Sequence, residues 1–276
     1  MMAEDPTPVC EVIVFSRDRA LQLHALLTSY YDNVRPHLPV HVIYTACNPA
    51  HRQSYETVMS CFPRVHFIKE GLFREDLIDL MTSLDARAVL FLVDDMVFVN
   101  DVNFAEMCAV DLLETVPTLR LGRTVGKNYP WQCMQRLPTL QNKGDGFLHF
   151  LWQQGELDWH YPLSLDGHIF QCAELMELTR DLEFHSPNTY EGALQKYQPF
   201  FVVREGICYP QPRAFSIPWN RVQEDYENNC GQLDIELLLE RWTSGYQLDT
   251  KRLHGLKVEA AHQEVPPTFI RRTGAE

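Results

Sequence analysis

One segment of the chain, residues 88–101, limits the possible fold more than any other. Six apolar residues, Ala88–Val93, run directly into two carboxylates, Asp94 and Asp95. A short run that is apolar throughout is typical of a central strand covered on both faces, as in a parallel sheet. Because open α/β sheets bind ligands at the carboxyl ends of their strands, the two acids stand where a ligand would bind.

Two adjacent acids at such a position repel each other and lose hydration unless a cation or hydrogen-bond donors neutralise them. A divalent metal that carries a diphosphate would neutralise them, since hard cations take oxygen ligands. The alternative is a strand that simply leaves the sheet into a solvated acidic turn.

The composition indicates a folded protein and argues against two classes of partner. Apolar residues make up 45% of the 276 positions and charged residues 22%, which is enough for a sizeable core. The formal net charge of -13 argues against nucleic acid or an anionic membrane as the main partner. It does not exclude a phosphate ligand, because a bound metal changes the local sign of the charge.

The eight cysteines and the N-terminus bear on the cellular compartment. No two cysteines have C-x-x-C spacing, so a structural zinc site is not expected, and reduced thiols are the simplest interpretation. The first residues, MMAEDPTP, lack the apolar core of a signal peptide. No run approaches the about 18 apolar residues that a membrane span needs. We therefore expect a cytoplasmic protein with no transmembrane segment.

Strand-like and helix-like patterns alternate through the first half of the chain. Strands are predicted at 12–15, 40–44, 65–68, 88–93 and 119–122, and helices at 21–31, 51–61, 75–84 and 103–114. Asn103 and Glu106 have capping-box spacing at the start of the last of these helices. The alternation predicts an α/β fold with a mostly parallel, doubly wound sheet.

The second half of the chain is less regular. Helices are predicted at 147–154, 173–182 and 233–243 and near Pro187, and extended chain is predicted at 163–170 and 207–217. Residues 131–140 have the composition of a loop. Since no repeat or low-complexity linker divides the chain, we expect a single folding unit.

Five segments together resemble the GT-A-fold glycosyltransferases, most closely the broad family 2 group. They are VIVFSRDRALQLHALLTSY at 12–30, VDD at 93–95, LDGHIF at 165–170, NTYEGAL at 188–194 and AHQEV at 261–265. The segments occur in that group's order and span residues from about 10 to 265. The chain departs from the group's D-x-D motif, which would need an acid at position 93 or 96, where Val93 and Met96 stand.

The resemblance implies a single GT-A-like domain over residues 1–276. Its Rossmann-like, mostly parallel sheet would form a nucleotide-binding half at about 10–125, and a mixed acceptor-side half would follow at about 126–270. It also implies metal-dependent transfer of a hexosyl group from a nucleotide diphosphosugar, with a UDP-sugar expected first, to an acceptor hydroxyl, with inversion. The acceptor (a glycan, a lipid-linked molecule or a protein) and the oligomeric state stay open.

The same resemblance implies a Mn²⁺ or Mg²⁺ site. Asp95 is the expected metal contact, with Asp94 touching the ribose or reaching the metal through water. His262 lies where many members of the group have a metal-binding histidine near the C-terminus, and imidazole is an acceptable ligand for Mn²⁺. The alternative for His262 is a surface histidine in an irregular tail.

Other residues are expected to bind the donor. Phe15, Ser16 and Arg19, in and after the first strand, are candidates for base and ribose contacts, and Asn48 is a weaker one; Ser16 can equally be an ordinary helix cap. Gly167 stands inside a strand-like segment, where either a donor sugar or a β-bulge would explain a glycine. Trp152, Trp159, His160 and Tyr161 can form a stacking platform for a sugar or part of the core.

Catalysis is assigned to a carboxylate of the second half. Glu191, in NTYEGAL, is the expected general base that deprotonates the acceptor hydroxyl, and Asp166 is the second candidate. The alternative for Glu191 is structural, because Asn188 and Glu191 have the spacing of a capping box.

Two other functions compete with sugar transfer. A nucleotidyltransferase or nucleotide-sugar-processing enzyme would normally need a glycine-rich basic loop after the first strand, and SRDRALQ contains no glycine. A catalytically inactive GT-A-like binding or scaffold module would explain the incomplete D-x-D motif.

Overall fold

The computed structural model describes residues 9–223, 225–226 and 229–272. The elements of the first half are β1 Cys10–Arg17, α1 Ala20–Asn33, β2 Val34–Arg35, β3 Val40–Thr45, α2 Pro49–Cys61, β4 His66–Lys69, α3 Phe73–Ser83, β5 Ala88–Val93, β6 Met96–Phe98, β7 Val102–Asn103, α4 Phe104–Met107 and β8 Thr115–Thr118.

The elements of the second half are β9 Lys127–Asn128, β10 Cys133–Met134, β11 Gln141–Asn142, β12 Leu148–Leu151, β13 Ile169–Gln171, α5 Cys172–Arg180, α6 Pro187–Leu194, α7 Gln198–Phe201, β14 Glu205–Cys208, β15 Ala214–Ser216, α8 Ile235–Thr243, β16 Tyr246–Leu248 and β17 Phe269–Arg271. Short 3₁₀ turns lie at Trp152–Gln154, Leu157–His160, Gln195–Tyr197 and Thr250–Leu253.

The main sheet has five strands in the order β13-β5-β1-β3-β4. All neighbouring pairs are parallel except β13 with β5, which is antiparallel and lies at the edge of the sheet. Side chains of β5 enter the core on both faces: Leu90 and Leu92 pack in one apolar cluster, and Val89 and Phe91 in the other. The predicted α/β fold with a mostly parallel sheet is confirmed, and β5 is its buried central strand.

The register of the main sheet brings two strand ends together. Phe15 of β1 pairs with Val93 of β5, and the backbone N–H of Asp94 donates to the carbonyl oxygen of Phe15 at 3.1 Å. The loop after β1 and the acids after β5 therefore meet at the same edge.

Two predicted elements are wrong, because part of the chain belongs to a second sheet of order β11-β12-β14-β8. The strand expected at 119–122 lies at Thr115–Thr118, parallel to β14. Residues 147–154, expected as a helix, form β12 and a 3₁₀ turn. This stretch is apolar at almost every position, and such a run has no period that distinguishes a strand from a helix.

The helix expected at 103–114 is also wrong in length, since α4 ends at Met107. Asn103 caps it by accepting from the N–H of Ala105, whereas Glu106 forms no capping box. Further along, the Asp111 carboxylate accepts from the N–H of Leu113 at 3.0 Å. Such a local bond competes with the helical pattern.

The remaining predicted helices are confirmed within a few residues of their bounds. No described helix has the length and apolarity needed to cross a membrane. All eight cysteines are free thiols.

Candidate active site

A cavity of about 730 Å³ opens at the carboxyl edge of the main sheet. One side, here called the sheet edge, is formed by residues 15–19 and 94–95. Another, here called the loop wall, is formed by lining residues within 128–131, 157–166 and 185–191. This volume suits a ligand of small-molecule size. The cavity is lined by eight residues predicted from the sequence: Phe15, Ser16, Arg19, Asp94, Asp95, Asp166, Glu191 and His262.

Both carboxylate oxygens of Asp94 already have partners. Oδ2 accepts from Ser16 Oγ at 2.9 Å and from the backbone N–H of Arg17 at 3.1 Å. Oδ1 accepts from Arg19 Nη1 at 3.0 Å. Since the side chain is also buried, Asp94 holds the loop after β1 in place and has no oxygen left for a metal.

Asp95 differs from its neighbour. Its Oδ2 lies 3.4 Å from Arg19 Nη1, and its Oδ1 is buried without a hydrogen-bond partner. Burial raises the pKa of Asp95 to about 6; the charges of Asp94 and Asp166 add to the rise, while Arg19 and His262 oppose it. An unpartnered buried carboxylate oxygen that faces a cavity is a ligand-binding group.

Arg19 connects the two acids to another part of the chain. Its Nε donates to Asn220 Oδ1 at 2.9 Å, and its Nη2 donates to the carbonyl oxygen of Asn220. The same guanidinium contacts Asp94 and Asp95. One positive charge thus offsets only one of two carboxylates at the sheet edge.

A second charged cluster is centred on Asp166. Its Oδ2 lies 3.2 Å from Arg120 Nη1 and 3.1 Å from His262 Nε2. Burial alone would raise the pKa of Asp166, but the hydrogen bond from His262 and the charge of Arg120 outweigh it and lower the pKa. Burial would likewise lower the pKa of His262, and the hydrogen bond to Asp166 reverses this, so the pKa is raised.

Glu191 lies in α6 and faces the same cavity. Its Oε2 accepts from the backbone N–H of Leu165 at 2.8 Å and from Ser164 Oγ at 3.4 Å, and Tyr161 forms a further side-chain hydrogen bond. Burial raises the pKa of Glu191, and the charge of Asp166 raises it further. These features are expected of a carboxylate that accepts a proton near neutral pH.

The capping explanation for Glu191 is wrong. The N-cap of α6 is Ser186, whose Oγ accepts from the N–H of Thr189 at 3.1 Å while Thr189 Oγ1 accepts from the N–H of Ser186. The capping box therefore stands two residues before the predicted one. Asn188 and Glu191 do not form it, so the position of Glu191 in the cavity needs another reason.

A metal would find few protein ligands here. Across residues 9–223, 225–226 and 229–272, no group of three or more His, Cys, Asp or Glu side chains is arranged to hold one. Asp95 Oδ1 has no partner, and His262 Nδ1 is also buried without one. Mg²⁺ typically binds one or two carboxylates, several waters and substrate phosphates rather than an all-protein cage. The donor set around Asp95 fits a metal that arrives with a diphosphate.

Comparison with known proteins adds a sequence relative. No family model matches the chain. The chain is 26% identical over 226 residues to the bifunctional glycosyltransferase pgtA of Dictyostelium discoideum, a match that covers 74% of this chain and 27% of that protein. The resemblance to glycosyltransferases is confirmed. The chain spans about a quarter of the length of this curated relative.

Solved structures of glycosyltransferases are also similar. One is TarS of S. aureus, with a TM-score of 0.49 and 15% identity over 75% of this chain and 36% of TarS. Another is the bifunctional glycosyltransferase WbbM, with a TM-score of 0.39 and 14% identity over 79% of this chain and 40% of WbbM. Both scores are below 0.5, so the functional proposal depends on the sequence relative and on the cavity.

Several residues predicted for the site do not line the cavity. Asn48 is the N-cap of α2 and accepts from the N–H of His51 at 2.9 Å. Gly167 has φ +74°, and a Cβ there would stand 3.0 Å from Met96 Cε, so its own backbone and packing require a glycine. Trp152 and Trp159 are fully buried in the core rather than forming a platform.

The sequence analysis missed two lining residues. Arg120 is almost fully buried and holds Asp166; a charged residue inside the apolar segment TVPTLRLG was a usable signal, since buried arginines are nearly always paired. Trp131 lines the cavity from the loop wall. Its loop-like surroundings carried no signal for this position.

Proposed function

We propose that this protein is a glycosyltransferase that moves a sugar from a nucleotide diphosphosugar to an acceptor hydroxyl. The observation that carries the proposal is the convergence of Asp95 and Glu191 on one cavity, one with an unpartnered buried oxygen and the other with a raised pKa. The similarity to pgtA supports the same class of reaction.

The donor would bind along the sheet edge. Phe15, Ser16 and Arg19 line this part of the cavity and fit contacts with the nucleoside, for which uridine is the first expectation. Asp95, with help from His262, would hold Mn²⁺ or Mg²⁺ beside the diphosphate. When bound, the metal supplies positive charge that stabilises the leaving diphosphate.

Glu191 would act as the general base. The N–H of Leu165 fixes its carboxylate, and its raised pKa makes it a better proton acceptor near pH 7 than an ordinary glutamate. Asp166 is the weaker candidate, because Arg120 and His262 hold its carboxylate and lower its pKa. A single base that activates the acceptor for direct displacement implies inversion at the anomeric carbon.

Two further properties belong to the same proposal. The net charge of -13 disfavours nucleic acid as a partner. The eight free cysteines favour a reducing compartment such as the cytoplasm.

The experiment is a thermal-shift panel of UDP-, GDP-, CMP- and dTDP-sugars, each with Mn²⁺ and with EDTA, followed by detection of the released nucleotide. Ligands that bind the native state raise the melting temperature by mass action. We expect a UDP-sugar to give the largest metal-dependent shift and to release UDP. A binding module would shift without release, and no shift with any member of the panel would contradict the proposal.

A further inference from the structure

Trp131 differs from every other tryptophan of the chain. Trp152, Trp159, Trp219 and Trp242 are buried, whereas Trp131 is 73% exposed and lines the cavity that holds Asp95 and Glu191. An indole is among the largest apolar surfaces a side chain offers. Its exposure here, beside carboxylates and not in the core, indicates a surface kept for a ligand.

The turn that carries Trp131 is fixed by hydrogen bonds on both sides. The N–H of Trp131 donates to Asn128 Oδ1 at 3.0 Å, and Gln132, at φ +50°, donates through Nε2 to the carbonyl oxygen of Tyr129. From another segment, Asn229 Nδ2 donates to the carbonyl oxygen of Pro130 at 2.7 Å. A surface held in this way loses little conformational entropy on binding.

Buried polar groups anchor the turn to the rest of the loop wall. Asn128 is buried, and its Nδ2 donates to Asp158 Oδ2 at 3.0 Å. Leu157, next to Asp158, has φ +50°, is 36% exposed and lines the same cavity. A leucine in the left-handed region is strained, and such residues cluster at ligand-binding positions. Trp131 and Leu157 therefore present apolar surface from two neighbouring segments.

We propose that Trp131, with Leu157 beside it, is the stacking surface for the acceptor, and that the acceptor hydroxyl belongs to a sugar ring. This inference rests on the proposed function. A pyranose has one face of C–H groups that packs on an aromatic ring, while its hydroxyls need polar partners. The cavity also offers amide and guanidinium groups, from Asn188, Gln223 and Arg221, that can bond hydroxyls.

The chemistry of the cavity favours a sugar over other acceptors. The lining acids Asp95, Asp158, Asp166 and Glu191 would repel an anionic acceptor. The surface formed by Trp131 and Leu157 has the size of one or two side chains, which is small for a lipid tail. A neutral ring that is apolar on one face and polar at its edges matches both properties.

The test uses methyl hexosides as acceptors, with hydroxyproline- and serine-containing peptides and glycerol for comparison. Trp131→Ala should raise the KM for the accepted hexoside about tenfold, as for loss of a central aromatic contact, with a smaller change in kcat. Trp131→Phe should restore most of the loss. Met134→Ala is the matched control, because Met134 is 70% exposed in the same hairpin and does not line the cavity.

A binding readout separates this inference from the proposed function. Trp131 is the one tryptophan open to solvent, so acrylamide quenching of fluorescence reports on it. A methyl hexoside, added with UDP and Mn²⁺, should protect it from quenching. Equal KM values for Trp131→Ala and Met134→Ala, or transfer to a peptide and to no hexoside, would overturn the inference while leaving sugar transfer intact. Failure of every nucleotide sugar to bind would instead reject the proposed function.

Discussion

The sheet edge and the loop wall share one cavity but hold their polar groups differently. At the sheet edge Asp94 has every oxygen bonded, and Arg19 holds two acids at once. On the loop wall Glu191 keeps a raised pKa and Trp131 stays open to solvent. A charged diphosphate needs fixed opposite charges, while an acceptor needs a proton acceptor and a shaped surface. The difference therefore matches a donor side and an acceptor side.

The largest expected effect is on the loop wall. Glu191→Gln should lower turnover by ~100-fold or more, the usual size of a general-base contribution, because an amide accepts hydrogen bonds but no proton. Thermal unfolding should change little, since the Leu165 N–H keeps an acceptor. The measurement is steady-state release of nucleotide. Near-normal turnover would move the role to Asp166 and remove the comparison's acceptor side.

The pH profile sharpens the same assignment. A general base works only when ionised, and burial raises the pKa of Glu191 above its ordinary value of 4.5. Turnover should therefore rise with pH through this raised pKa, so that the acid limb lies at higher pH than for an exposed glutamate. The residual activity of Glu191→Gln should lack that limb. A limb that persists unchanged in the variant would assign it to another group.

The next effect concerns the buried charge behind the loop wall. Arg120→Met should destabilise the fold by about 3 kcal/mol, because it leaves the buried Asp166 without its cation. Urea unfolding measures the change. Arg136→Met is the matched control, since its ion pair with Glu156 is solvent-exposed and should contribute about 0.5 kcal/mol. Equal losses for the two variants would show that the Arg120 pair is not special.

The smallest effect defines the limit of the sheet edge. Asn48→Ala should cost about 1 kcal/mol through loss of the cap of α2, with unchanged affinity for UDP. Calorimetric titration with UDP and urea unfolding measure the two quantities. A clear loss of UDP affinity would extend the donor side to the end of β3.

The first half of the fold was predictable because its signals are local. Strands β1, β3 and β5 are short apolar runs, and the ends of β1 and β5 in a parallel sheet had to bring Ser16 and Asp94 together. The loops of the second half were less predictable. Pro187 at the first position of α6 was a signal for Ser186 as N-cap, and it was overlooked in favour of Asn188.

The site was predictable only where a family motif carried it. Asp95, Asp166, Glu191 and His262 converge on one cavity as the resemblance implied. Arg120 and Trp131 were missed because long-range contacts place them: a buried ion pair in one case, and hydrogen bonds from Asn128 and Asn229 in the other. Pattern within a short window contains no information on such contacts.

The most direct test of the account is calorimetric titration of UDP into wild-type protein and Asp95→Asn, each with Mn²⁺ and with EDTA. Asp95 has the one unpartnered carboxylate oxygen of the sheet edge, so the account predicts that wild-type affinity falls about tenfold or more when metal is removed. The folded variant should bind UDP weakly and equally in both conditions. Unchanged, metal-dependent binding by Asp95→Asn would contradict the account.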